Sequence, residues 1–102
     1  MTELDLETDI DIMHPKMYKV ILHNDDYSTF EFVIEVLMNI FNKSKDKSIE
    51  LTFKVDKDGF AIIETYPKEI AETKVSLVRE MAKDNNFPLL ATMEEEWIYQ
   101  ID

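Results

Sequence analysis

The chain has 102 residues, enough for one small domain around one core, and at 45% hydrophobic residues it is not disordered as a whole. It carries 22 acidic against 11 basic residues, a formal net charge of -11. That charge disfavours nucleic acid and anionic membrane surfaces and favours partners with positive charge, including amines and basic peptide termini, although solubility alone would also account for it. There is no cysteine, so disulfides, thiol nucleophiles and Cys zinc sites are excluded. No apolar run approaches the ~20 residues that span a bilayer, and the acidic start lacks a secretion-signal pattern, so a cytoplasmic setting is expected.

Residues 1–16 alternate acids with isolated Leu and Ile and read as a flexible N-terminal tail. Met17 to His23 reads as a strand with Tyr18, Val20 and Leu22 on one face. Asn24-Asp25-Asp26 ends it. A helix follows, with Ser28 and Glu31 placed for a capping box and Tyr27 and Phe32 for a hydrophobic staple. Phe30, Val33, Ile34, Leu37, Ile40 and Phe41 recur at three- and four-residue steps, a helical core stripe.

Residues 42–48 are a polar break. From 49 to 55, Ile49, Leu51, Phe53 and Val55 alternate with polar residues, which taken locally is a strand. With the Asp58-Gly59 turn and the β-rich run 60–66, the local pattern would be a hairpin. Pro67 suits the first position of a second periodic helix that stops at Asp84-Asn85-Asn86, before Pro88. Leu89 to Met93 reads as a closing strand, ended by Glu94-Glu95-Glu96. Residues 97–102 are a C-terminal tail.

Catalytic motifs are sparse. His14 and His23 stand without a patterned Ser or Asp partner, and no phosphate-cradling loop is possible with one Gly. Asp25 and Asp26 are adjacent carboxylates on a turn, a weak basis for a metal site. A binding module fits better than an enzyme, and no cofactor or metal is expected. Asn24-Asp25-Asp26 admits two readings. It can merely close the turn, with Phe30 and Val33 as core. Or its carbonyl and carboxylate oxygens can converge on an α-ammonium, which offers three N–H donors and one charge, while Phe30 and Val33 wall an apolar pocket for the adjoining side chain.

The chain resembles the ClpS family, adaptors of the Clp protease. The resemblance rests on Met17-Tyr18-Lys19-Val20-Ile21-Leu22, Asn24-Asp25-Asp26-Tyr27, Glu31-Phe32-Val33-Ile34 and Val36-Leu37, then Gly59, Glu69-Ile70-Ala71-Glu72-Thr73-Lys74-Val75 and Asn86-Phe87-Pro88-Leu89. It covers about 17–94, within an adaptor domain at 17–96. It implies an α/β domain of the α+β type, ordered β-α-α-β-α-β, with a three-stranded antiparallel sheet packed against the helices. It implies an adaptor, expected as a monomer, that hydrolyses nothing itself. Such an adaptor binds proteins with N-terminal Leu, Phe, Tyr or Trp and delivers them to the AAA+ unfoldase ClpA for degradation by ClpP.

Residue by residue, the resemblance places Asn24 and Asp25 in the amine-binding turn and Ser28 beside it. It places Phe30 at the pocket's gate, and Val33, Val55 and Leu89 on its apolar walls. Glu69 and Lys74 fall on the surface that docks on the unfoldase, and the tail serves handover. Two positions depart from the family. Asp56 stands where a His amine acceptor is usual, and Thr52 where Met usually lines the pocket. The resemblance also makes 46–56 a helix, against the local alternation. Thr52, Val55 and Asp56 then share one face at i, i+3 and i+4.

Overall fold

The computed structural model describes residues 16–96. The tails at 1–15 and 97–102 lie outside the described residues. Six elements follow one another: β1 (Met17–His23), α1 (Phe30–Asn39), α2 (Lys45–Asp58), β2 (Phe60–Pro67), α3 (Lys68–Asp84) and β3 (Leu90–Glu96). The three strands form one sheet in the order β2-β1-β3, with both pairings antiparallel. The β-α-α-β-α-β order and the antiparallel sheet agree with the sequence-based expectation.

β1 is the middle strand and the most apolar. Val20 and Leu22 are fully buried beneath the helices, and Leu22 faces Ala61 of β2 and Ala91 of β3. A register shift between Val20 and Ile21 fits one extra residue of β2 into the ladder. The core adds Phe32, Val33, Val36 and Leu37 from α1, Leu51 and Val55 from α2, and Ala71, Val78 and Ala82 from α3. Phe32 meets Phe87 at 4.7 Å between ring centroids, pinning the segment before β3 onto α1.

α2 settles the ambiguity at 49–55 in favour of helix. Ser44 caps it, its hydroxyl accepting from Lys47 N at 3.1 Å. Gly59 ends it at φ +89°, with its N–H donating to Val55 O. Nothing lies within 4 Å of where a Cβ would sit at Gly59, so glycine is required there by the left-handed backbone and not by space. In the helix the buried stripe is Ser48, Leu51, Thr52 and Val55, while Phe53 is exposed. A strand would have put Leu51, Phe53 and Val55 on one face.

Four boundary details differ from expectation. The cap of α1 is Thr29, whose Oγ1 accepts from Phe32 N at 3.1 Å, and not Ser28. The Ser28–Glu31 capping box does not form because Asp25 holds both the amide and the hydroxyl of Ser28. The helix therefore starts one residue later. The Tyr27–Phe32 staple is also absent, since Tyr27 is 75% exposed while Phe32 is buried. Pro67 closes β2 and occupies the cap position of α3, one residue earlier than expected.

The fourth difference is at β3, which runs through Glu94–Glu96 instead of ending there. Strand pairing with β1 needs only backbone groups, and Glu94 lies opposite Lys19. α3 ends as the sequence suggests. Asn86 takes φ +60°, Phe87 N donates to Ala82 O, and Asn86 N donates to Lys83 O, a Schellman closure with asparagine in the left-handed position.

Candidate binding site

The site begins where β1 ends. Asn24 N donates to Gly59 O at 2.9 Å, tying the strand's end to the end of α2. That bond sets the acidic turn beside the last turn of α2. Asp25 then organises the turn. Its Oδ1 accepts from Tyr27 N at 2.8 Å and Ser28 N at 2.7 Å, and its Oδ2 accepts from Ser28 Oγ at 2.7 Å. Burial raises the Asp25 carboxyl, but the hydrogen bonds from Ser28 and Tyr27 outweigh it and hold the group below the ordinary aspartate value. Asp25 is therefore a fixed, charged acceptor.

The side chain of Asn24 and the carboxylate of Asp56 are exposed and take no hydrogen-bond or ion-pair partner among the described residues. Behind them opens a cavity of about 250 Å³, mouth included. Nine residues expected from the sequence line it together: Asn24, Asp25, Ser28, Phe30, Val33, Thr52, Val55, Asp56 and Leu89. The polar ones gather toward the turn. Val33, Thr52, Val55 and Leu89 are buried and form the walls. Among the described residues no Lys or Arg lines the cavity. The arrangement offers oxygen acceptors and negative charge at one end and apolar surface at the other, which suits a cation carrying an apolar group. Among the described residues no three His, Asp or Glu side chains come together as a metal-ligand set.

The interior is narrow, with room for about one water molecule. Phe30, the first residue of α1, is 40% exposed and packs edge-on against Phe53 of α2, with ring centroids 5.2 Å apart at 87°. Phe53 was not singled out in the sequence, because a lone exposed aromatic on a helix carries no local signal. His23 was also missed. It lines the cavity and shares a 2.7 Å hydrogen bond between its Nε2 and Thr92 Oγ1. Its position directly before Asn24 was the available clue.

Glu69 and Lys74 do not join this cluster. Both are on α3, and neither lines the cavity. Glu69 is exposed in the first turn. The Lys74 ammonium donates to Ile40 O at 2.7 Å, at the end of α1, and lies 5.7 Å from the centroid of the Tyr66 ring.

Comparison with known proteins follows the same lines. The family model described as "ATP-dependent Clp protease adaptor protein ClpS" matches residues 13–92. An adapter protein ClpS from Nautilia profundicola is 46% identical over 94 residues, covering 92% of this chain and 97% of its own. One from Clostridium acetobutylicum is 54% identical over 84 residues, covering 82% and 83%. The solved structure of Agrobacterium tumefaciens ClpS2 bound to L-phenylalaninamide superposes with a TM-score of 0.78 at 39% identity, covering 80% of this chain and 99% of that one.

Proposed function

We propose that this chain, which belongs to the ClpS family of Clp protease adaptors, captures proteins by a free N-terminal amine and a bulky first side chain, Leu, Phe, Tyr or Trp. It delivers them to a ClpA-type unfoldase for degradation by ClpP and hydrolyses nothing itself. One observation carries this reading: the unpartnered oxygens of Asn24 and Asp56 and the fixed carboxylate of Asp25 ring the mouth of an apolar cavity. L-phenylalaninamide, held by the Agrobacterium relative, is a free α-amine with an aromatic side chain, the ligand class this reading assigns to the cavity.

In this reading Asn24, Asp25 and Asp56 accept from the ammonium, and Ser28 keeps Asp25 oriented. Phe30 gates the entrance and Val33, Thr52, Val55 and Leu89 surround the side chain. The domain at 17–96 works as a monomer in the cytoplasm, with the segment 1–16 acting in handover. Glu69 docks on the unfoldase's N-terminal domain. Lys74 shapes that surface from its place on the Ile40 carbonyl. The test is a titration of a Phe-initiated peptide with a free or an acetylated amine. Tight binding of the free peptide and none of the acetylated one is expected, and equal binding of both would overturn the reading.

A second reading is favoured by the narrow interior: a ClpA-docking regulator whose degron recognition is lost or altered. It predicts unfoldase binding with no binding of the free-amine peptide.

A further inference from the structure

Ser48 is the one buried polar side chain among the described residues with an unpartnered oxygen. It is fully buried, and its Oγ has no hydrogen-bond partner. Buried hydroxyls are ordinarily satisfied, and a serine inside a helix can usually turn back to the carbonyl four residues earlier. Here Ser44 O receives only the Ser48 amide, and Ser48 O receives the Thr52 hydroxyl at 2.7 Å. The Ser48 hydroxyl itself is left over.

Its place on α2 gives it a use. Asp56, Thr52 and Ser48 follow one another at four-residue steps along one face of the helix. Asp56 and Thr52 both line the cavity, and Ser48, fully buried one turn before Thr52 on the same face, sits next to that lining without being part of it. Eight residues of helix separate the mouth level from Ser48, a rise of about 12 Å. An extended tyrosine with its amine at Asp56, its ring between Val33 and Val55, and its phenol pointing inward matches that rise once a hydrogen bond is added at each end. A phenylalanine or leucine stops short and offers the hydroxyl nothing.

We propose that Ser48 is a specificity-determining residue that pairs with the phenolic hydroxyl of an N-terminal tyrosine, so that this adaptor ranks tyrosine above its apolar isosteres. The inference rests on the amine-binding reading of the cavity. The Ser48 hydroxyl donates to the phenol oxygen or accepts a hydrogen bond from the phenol O–H, and the ring displaces Phe30 from the entrance on the way in. A Trp indole N–H is a weaker candidate, because its polar atom lies to one side of the long axis.

The test compares three peptides identical after the first residue, which is Tyr, 4-methylphenylalanine or Phe. The 4-methyl group fills the volume of the hydroxyl without its hydrogen bond. Fluorescence anisotropy on the full chain is expected to give about tenfold tighter binding of Tyr than of 4-methylphenylalanine, the size of one buried hydrogen bond. Ser48→Ala should bring that ratio to about one while leaving the Phe peptide's affinity and the melting temperature intact. Equal binding of the two isosteric peptides by the wild type, or an unchanged ratio in Ser48→Ala, overturns the proposal. So does a ratio that collapses only in Thr52→Val, which would move the role to Thr52. If none of the three peptides binds, the amine-binding reading falls, and this inference with it.

Discussion

The two sides of the cavity are built in opposite ways. On the turn side, Asp25 is fastened by three hydrogen bonds from Tyr27 and Ser28, and its charge is secured by them. On the helix side, the Asp56 carboxylate has no partner among the described residues and is exposed, while Thr52 one turn below is buried. The turn is a finished acceptor whose geometry is set by its own hydrogen bonds. The helix contributes side chains that fix charge, depth and shape without being fixed by one another. Substitutions on the turn should therefore weaken every ligand together, and substitutions on the helix should reorder them.

The largest effect is expected from Asp25→Ala. It removes a charged acceptor and frees the Ser28 hydroxyl and two backbone amides, so affinity for every free-amine peptide should fall about 100-fold or more, read by anisotropy. A loss confined to some first residues would break the contrast between the two sides. Asp56→Ala removes one exposed charge that has no structural partner, and about a tenfold loss is expected with no fall in melting temperature. If Asp56→Ala costs as much as Asp25→Ala, the two sides are equivalent and the distinction fails.

The Phe30→Met, Thr52→Met double variant should change the order of preference among Leu, Phe, Tyr, Trp, Ile and Val by several-fold while keeping the free-amine requirement. An unchanged ranking would remove both residues from selectivity. The smallest effect concerns acid. The carboxyl of Asp25 is depressed in the fold, so the stability it contributes is present above the unfolded value near 3.9 and is lost as pH falls through the lower folded value. Between pH 6 and 7 the charge of Asp25 is constant. Peptide affinity should change less than about twofold over that range. A sharp drop over that range would mean that a group other than Asp25 governs binding.

Much of this was legible in the sequence, for identifiable reasons. β1 and α1 carry unambiguous periods, and the Asn24-Asp25-Asp26 turn marks the junction between them. α2 was not legible locally, because Ile49, Leu51, Phe53 and Val55 satisfy a period of two while Ser48, Leu51, Thr52 and Val55 satisfy the helical one. The caps at Ser44 and Gly59 decide it, and hydrophobic patterning does not register caps. The misplaced start of α1 has a similar origin. Ser28 and Thr29 are equally good caps by type, and only the reach of Asp25 across Tyr27 removes Ser28 from contention. The places of His23, Phe53 and Ser48 around the cavity were not legible for another reason. Each acquires its meaning from a neighbour on a different element or a different turn, a relation that spacing along the chain does not encode.

The run Glu94–Glu96 extends β3 along an open side of the sheet. An edge strand presents unpaired backbone amides and carbonyls to any extended chain that comes near. Under the proposed function, this adaptor works where such chains are present. Glu94 and Glu95 are exposed on this edge, Glu95 within 3.8 Å of the Lys16 ammonium, while Glu96 accepts from Thr65 Oγ1 of β2 at 3.2 Å. The carboxylates facing an incoming strand are therefore Glu94 and Glu95. A client that lay down beside β3 would have to bring its own strand against them, and one not rich in Lys or Arg would be turned away before pairing could begin.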